Sequence, residues 1–302
     1  MNRMKRILES FSPDVVHLAS PFELGWRAVR AAHQLELPTV AVYQTEVPAY
    51  TARYGLTVLE NWAWRRIENI HLLADRTLAP SSFAVNQLRG HGIPRVSLWR
   101  RGVDTARFHP TKRDGVLRRA AGAEHQKIIG YVGRLAAEKQ VKDLSAIADI
   151  PGTQLVIIGD GPLRNQLREH LSHAHFTGFL DGEELARAMA DFDLFVHPGE
   201  SETFCQTIQE AMASGVPVVA TGRGGPLDLV DNSRTGWLYP PKDLRQLRTH
   251  VEDPMGDDAK RAAFARAAQL SVQGRSWGAV CTQLTNHYRA AIAQRQLAAH
   301  QR

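Results

Sequence analysis

Two cysteines in 302 residues, Cys205 and Cys281, exclude a disulfide framework, and neither stands in a CxxC spacing that would suit a metal or redox centre. A reducing cytosol fits that usage. No apolar run approaches the ~18 to 20 residues that cross a bilayer, and the mixed basic stretch from Met1 to Phe11 lacks the apolar segment of a signal peptide. Membrane contact is therefore expected to be peripheral. Charge of one sign is also scarce: 37 Lys and Arg against 31 Asp and Glu leave +6. That excess suits phosphorylated substrates or an anionic membrane surface and proves neither. Nucleic acid is not an expected partner. GxxxxGK[ST] and GxGxxG are both absent, which removes the strongest support for an ATPase or an ordinary dehydrogenase.

What is present is globular composition, 43% hydrophobic and 23% charged, in a chain long enough for two domains. Short Val- and Ile-rich runs recur between longer helical segments: 15–18, 39–43, 77–79, 96–99, 128–132, 155–158, 175–179, 194–197, 217–220 and 237–239. Runs apolar throughout, rather than alternating, predict parallel sheets covered by helices on both faces, an α/β fold. The alternation breaks in the polar stretch from Phe108 to Gln126. The expected division is a first domain over 1–110, a second over 111–275, and a terminal helix over 276–302.

Two segments carry chemistry. In Gly130-Tyr131-Val132-Gly133-Arg134-Leu135-Ala136-Ala137-Glu138-Lys139 a strand ends in glycine and delivers two cations to the crevice where open α/β sheets bind ligands. Arg134 and Lys139 there suit a diphosphate, one as a fork and one as a point charge; a solvated basic loop is the alternative. The second runs from Leu194 to Gly215, where a buried strand ends at Pro198 and a helix is expected from about Thr203 to Ala213. The amides of Cys205, Gln206 and Thr207 would form an anion site at its start. Small or apolar neighbours around Glu202 and Glu210 favour contact with sugar hydroxyls over a solvent-facing role, which is plausible for Glu200.

With Gly159-Asp160-Gly161-Pro162, Thr177-Gly178-Phe179-Leu180 and Gly215-Val216-Pro217-Val218-Val219-Ala220, these motifs resemble the retaining glycosyltransferase family 4 over nearly the whole chain. Leu98-Trp99-Arg100-Arg101-Gly102-Val103-Asp104-Thr105 and Tyr43-Gln44-Thr45-Glu46-Val47-Pro48-Ala49-Tyr50 are similar to the subgroup of GDP-mannose-dependent α-mannosyltransferases and sulfoquinovosyltransferases. The resemblance implies a GT-B fold, two Rossmann-like domains with parallel sheets. It implies that Arg134 and Lys139, beside Gly133, neutralise the donor diphosphate, that Glu202 holds the transferred sugar, and that Glu210 holds the ribose. Phe179 and Leu180 would offer backbone groups to the base, and Thr203, Phe204, Cys205 and Gln206 would line the donor site. Gln44, where family members commonly carry His, and Glu46 would lie on the acceptor side. The implied reaction moves a hexose, mannose from GDP-mannose first among candidates, onto a membrane glycolipid at the inner face, with no metal or other cofactor. A UDP-sugar enzyme of the same fold and a silent nucleotide-sugar or glycolipid binding protein are the alternatives. Family members begin with a strand and glycine loop that do not precede Met1 here, so the first domain is expected to be incomplete.

Other signals favour structural roles. Asp191-Phe192-Asp193 precedes its strand instead of following one, which suits a turn better than a metal. His170, His173 and His175 lack the Cys or fixed geometry of a zinc site. Packing is the expected role of Cys205. Trp62, Trp64, Arg65 and Arg66 lie on an expected helix over 58–73, where the tryptophans pack inward or face a membrane interface.

Overall fold

A computed structural model describes residues 2–20, 22–45 and 57–301. All ten expected strands are present, in two sheets. The chain divides into one compact unit of Met1–Arg101 with Gly278–Arg302 and a second of Gly102–Trp277. The division falls before the polar connector rather than inside it. Val103 donates its amide to the Arg275 carbonyl at 2.9 Å, and Phe108 is buried in the second unit's core. Residues 102–110 therefore belong to the second unit.

In the first unit β1 (Val16–Leu18), β2 (Thr39–Val42), β3 (Arg76–Ala79) and β4 (Val96–Leu98) pair in chain order, all parallel. Successive residues point to opposite faces, and both faces are covered. Val40, Val42 and Leu78 pack against Leu284, Tyr288 and Ala291 of the helix Trp277–His300. Tyr43 and Ala79 pack against Trp64, Ile67 and Leu88. The helix Thr57–Leu73 separates its tryptophans: Trp64 is buried and stacks on His91, whereas Trp62 is 54% exposed and lies under Arg66.

In the second unit β5 (Lys127–Val132), β6 (Thr153–Ile158), β7 (His175–Gly178), β8 (Leu194–His197), β9 (Val218–Thr221) and β10 (Gly236–Tyr239) lie in the order β10-β9-β8-β5-β6-β7, again parallel. Alternation along each strand feeds two cores. Ile128, Val132, Val156, Ile158 and Phe195 enter one, and Ile129, Tyr131, Leu155, Ile157 and Val196 the other. Burial of each such side chain contributes about 1.5–3 kcal/mol, which explains the unbroken apolar runs. The strand order reverses between β5 and β8, and in open α/β sheets the carboxyl ends at that reversal bound a ligand crevice. The order in the first sheet has no reversal among the described residues.

The crevice depends on glycine at one close approach. Gly159, after β6, has φ +141°, and a Cβ there would lie 2.0 Å from the carbonyl oxygen of Gly133, after β5. Gly159→Ala is expected to cost about 3 kcal/mol, combining backbone strain with overpacking. Gly122→Ala, at φ +64° with open space, is expected to cost about 1 kcal/mol. Thermal denaturation of the two variants would separate the effects, and equal losses would argue against the close approach.

Asp191 and Asp193 are structural. Asp191 accepts the amides of Gly115 at 2.9 Å and Leu117 at 3.1 Å, while Asp193 accepts the Ile128 amide at 2.8 Å and pairs with Arg113 and Arg118. Burial would raise the Asp193 carboxyl, but these donors hold it below its ordinary range. No helix among the described residues is long and apolar enough to cross a membrane.

Candidate active site

β5 and β8 are neighbours, Gly130 opposite Phe195, so the loops leaving their carboxyl ends are neighbours too. The first continues through Gly133 and Arg134 into the 3-10 turn Ala137–Lys139, and the second runs from Pro198 to Cys205 before the helix Gln206–Ala213. An ion pair between Lys139 and Glu202 joins the loops. His197, the last residue of β8, places Nε2 3.0 Å from Glu202 Oε1. The cluster is 2% exposed at His197 and 8% at Glu202.

Burial alone would raise the Glu202 carboxyl, but the hydrogen bond and charge of His197, then Lys139, hold it at about 2. Burial alone would lower His197, yet the Cys205 sulfur and the Glu202 carboxylate outweigh it and push the imidazole up to about 9. The stabilisation from His197 is complete below its unfolded value and is lost as pH rises through about 9. That from Glu202 is present above its unfolded value and is lost as pH falls through about 2. Across neutral pH the two stay charged together, which makes Glu202 a poor base and a strong acceptor.

A second, reciprocal clamp was not legible in the sequence. The Glu200 amide donates to Gln140 Oε1 at 2.8 Å, and Gln140 Nε2 donates to Glu200 Oε1 at 2.8 Å, with Arg223 3.3 Å from the other oxygen. Glu200 is 4% exposed, which removes the solvent-facing role that was plausible for it: its carboxylate ties the loop after β8 to the residue following Lys139. The only sequence signal was Gln140 beside Lys139, and a lone Gln implies nothing.

The helix begins three residues later than expected, at Gln206. Cys205 is its N-cap at φ +74° and ψ +78°, a left-handed conformation that blocks a helical start at Thr203. The unfilled amides are therefore those of Gln206, Thr207 and Ile208. Phe204 sends its side chain into the core, so only its backbone faces the crevice. Glu210 lies one turn beyond Gln206. Burial raises its carboxyl to about 7, against a hydrogen bond from Gln206 and the charge of Arg107. Gln206 Nε2 donates to the Gly102 carbonyl at 3.0 Å, while its Oε1 is buried without a partner.

Arg134 pairs with Glu138 rather than sharing the Lys139 cluster, and is 61% exposed along its side chain. It lines a cleft of about 350 Å³ with Gly133, Gly159, Asp160, Phe179 and Leu180. Phe179 is 70% exposed at its edge. The crevice thus places the Lys139, Glu202 and His197 cluster on one loop pair and Arg134 with the cleft beside it. Gln44 belongs to the first unit, where its amide donates to the Ala19 carbonyl at 3.0 Å and accepts from Arg101 at 2.7 Å. Glu46 lies outside the described residues. Among the described residues His170, His173 and His175 are not gathered into a ligand set, whereas His197, Glu202 and Cys205 bring a nitrogen, an oxygen and a sulfur within 4.8 Å of one another.

Residues 116–271 match the profile of "Glycosyl transferases group 1" and residues 1–107 that of "Glycosyltransferase Family 4". A GDP-mannose-dependent alpha-mannosyltransferase of Mycobacterium tuberculosis is 47% identical over 97% of this chain and 77% of the relative. One from Corynebacterium glutamicum is 46% identical over 96% of this chain and 70% of the relative. The Arabidopsis thaliana sulfoquinovosyl transferase SQD2 is 35% identical over 93% of this chain and 58% of its own length. Among solved structures, Anabaena HepE in complex with UDP superposes with a TM-score of 0.83 at 21% identity, covering 95% of this chain and 82% of that one. At that identity the likeness establishes the fold, two Rossmann-like domains of GT-B type.

Proposed function

The chain belongs to the glycosyltransferases of family 4 and group 1, and from that premise we propose that this hexosyltransferase moves mannose from GDP-mannose onto a lipid-linked acceptor with retained anomeric configuration. The observation that carries the reading is the convergence of Lys139, Glu202 and His197 with a free helix start where the strand order reverses. A nucleotide diphosphate meets there what it lacks in water: fixed cations and amides already oriented toward its charge.

In this mechanism the helix amides and Lys139 take the diphosphate, and Arg134 leaves Glu138 to close over it. Lys139 then stands between the leaving phosphate and Glu202, whose oxygens accept hydroxyls of the sugar. Breaking the bond between the anomeric carbon and phosphate oxygen places negative charge on the diphosphate and positive charge on the sugar ring. The cations stabilise the first, and the buried carboxylate the second. A carboxyl held at about 2 does not take the acceptor's proton, so a departing phosphate oxygen takes it as the acceptor oxygen attacks. The base enters the cleft beside Phe179 and Leu180. No step calls on a metal ion.

GDP-mannose is preferred over a UDP sugar because the 46–47% identical relatives carry that donor in their names. Acceptor and membrane are read from the surface of the first unit. Trp26, partly buried, lies under Arg30 at 4.7 Å and Arg66 at 4.6 Å, and the exposed Trp62 lies under Arg66 at 5.5 Å, so aromatic and cationic groups neighbour one another there, with Glu23 paired to Arg66 among them. Such a face suits peripheral contact with anionic lipid at the cytoplasmic leaflet.

Incubation with radiolabelled GDP-mannose or UDP-glucose and a lipid extract tests the reading. Label entering lipid from GDP-mannose supports it. Label entering only from UDP-glucose overturns the donor, and donor binding without turnover overturns the transfer.

The ribose assignment adds a pH dependence. Ribose hydroxyls donate best to a carboxylate, and burial keeps Glu210 protonated below about 7 in the empty site. Donor affinity should therefore fall as pH drops from 8 to 6, approaching tenfold per unit below that value. Calorimetric titration at the two pH values should show it, and Glu210→Gln should flatten the profile; an unchanged slope in that variant removes Glu210 from the ribose.

A further inference from the structure

We propose that His197, Cys205 and Glu202 form a binding site for a thiophilic divalent cation of the zinc and cadmium class, and that this cation and the nucleotide-sugar donor exclude one another. Exclusion rests on the assignment of Glu202 to the sugar. The cation site itself does not.

Three observations converge. The candidate ligand atoms, one each of nitrogen, sulfur and oxygen, lie within 4.8 Å of one another, and all three residues are buried. His197 turns Nε2 toward Glu202, while its Nδ1 is buried without a hydrogen-bond partner in a residue only 2% exposed, so the ring carries an unsatisfied polar atom that a structural role alone leaves unexplained. The groups are also held in place by neighbours that are not ligands. The imidazole stacks on Tyr131 at 6.0 Å and on Phe195 at 6.4 Å, while Cys205 is fixed as a left-handed helix cap.

The chemistry of the donors selects the ion. Imidazole, thiolate and carboxylate together suit a borderline-soft cation, and three protein ligands leave a position for water. Magnesium and calcium, which prefer oxygen alone, have little to hold here. The cation must take the Glu202 oxygen from Lys139 and displace one proton from the His197 imidazolium and one from the Cys205 thiol, both released to water, and this competition makes the site weaker than a dedicated structural zinc site. The same displacement gives the site its consequence. With Glu202 on the cation, Lys139 loses that carboxylate and the sugar loses its acceptor, so occupancy silences transfer without closing the crevice by bulk.

The test uses Cys281→Ser protein, because Cys281 is exposed and would report metal elsewhere. Cadmium is titrated in while the ultraviolet charge-transfer band from thiolate to cadmium is followed. A saturable band at one cadmium per chain is expected, unaffected by excess magnesium. His197→Gln and Glu202→Gln should each weaken cadmium binding by at least about tenfold, with circular dichroism confirming the fold. No band, or a band equally tight in both variants, overturns the site. Saturating GDP-mannose should raise the cadmium midpoint. An unmoved midpoint with donor demonstrably bound overturns the exclusion and leaves the site standing. If neither GDP-mannose nor UDP-glucose binds, the function proposed above fails while the band still decides the cation.

Discussion

Glu202→Gln should lower sugar transfer by about 10³-fold, a loss of about 4 kcal/mol of transition-state stabilisation, with the chain still folded. Glutamine keeps the shape and one carbonyl acceptor but removes the negative charge that Lys139 and His197 surround. Two effects then add at the same place. The developing positive charge on the sugar ring loses its buried counter-charge, and Lys139 loses the partner that aims it at the leaving phosphate. Breaking one side of a buried ion cluster also costs about 3 kcal/mol or more of stability, so the melting temperature should fall, and activity must be compared well below it. The variant carries its own internal control. Without the carboxylate His197 loses the Glu202 share of its upward shift while the Cys205 sulfur still opposes burial, so the imidazole should titrate below its value of about 9 in the parent protein, observable by NMR. A shifted His197 with normal transfer would refute the role of Glu202 while confirming the electrostatics.

The fold was open to reading because it rests on the most redundant signal a sequence carries. The inner strands of the second sheet, β5, β6, β8 and β9, are buried on both faces along most of their length, so each is an apolar run, and all ten runs became strands. The location of the crevice was open for a related reason, since glycine and charge can stand together at a strand's end only where the chain leaves the core. What escaped were features set by partners distant in the chain. Nothing near Glu200 announces that Gln140, sixty residues earlier, folds back to bond both its amide and its carboxylate. The helix start moved for a comparable reason. Thr203 and Phe204 have ordinary helix propensity, but Phe204 is drawn into the core and Cys205 must turn left-handed to permit it, so tertiary packing overrides the local preference. Cys205 was expected to pack; it does, and its sulfur also faces His197 and Glu202.

Lys139 and Arg134 were read as one clamp, yet the structure gives them unlike surroundings, and their variants should behave differently. Lys139 Nζ is enclosed beside Glu202, its side chain 20% exposed, where a low local dielectric magnifies its effect on charge that develops as the phosphate leaves. Arg134 is 61% exposed and tied to Glu138, so it must reorganise to reach a ligand, and solvent screens it. Lys139→Met should therefore cut kcat by about 10² to 10³, because the lost interaction is strongest in the transition state. Arg134→Ala should act mainly on KM, raising it by roughly tenfold with kcat nearly kept, as expected for contact made equally with donor and transition state. Lys139→Arg retains the charge but replaces a compact ammonium with a planar fork in an enclosed space, and should recover only part of the lost rate. Steady-state kinetics across a donor series separates these outcomes. A common loss in KM alone for both cations would mean that Lys139 merely binds, and the leaving-group charge would then have to be met by the helix amides of Gln206, Thr207 and Ile208.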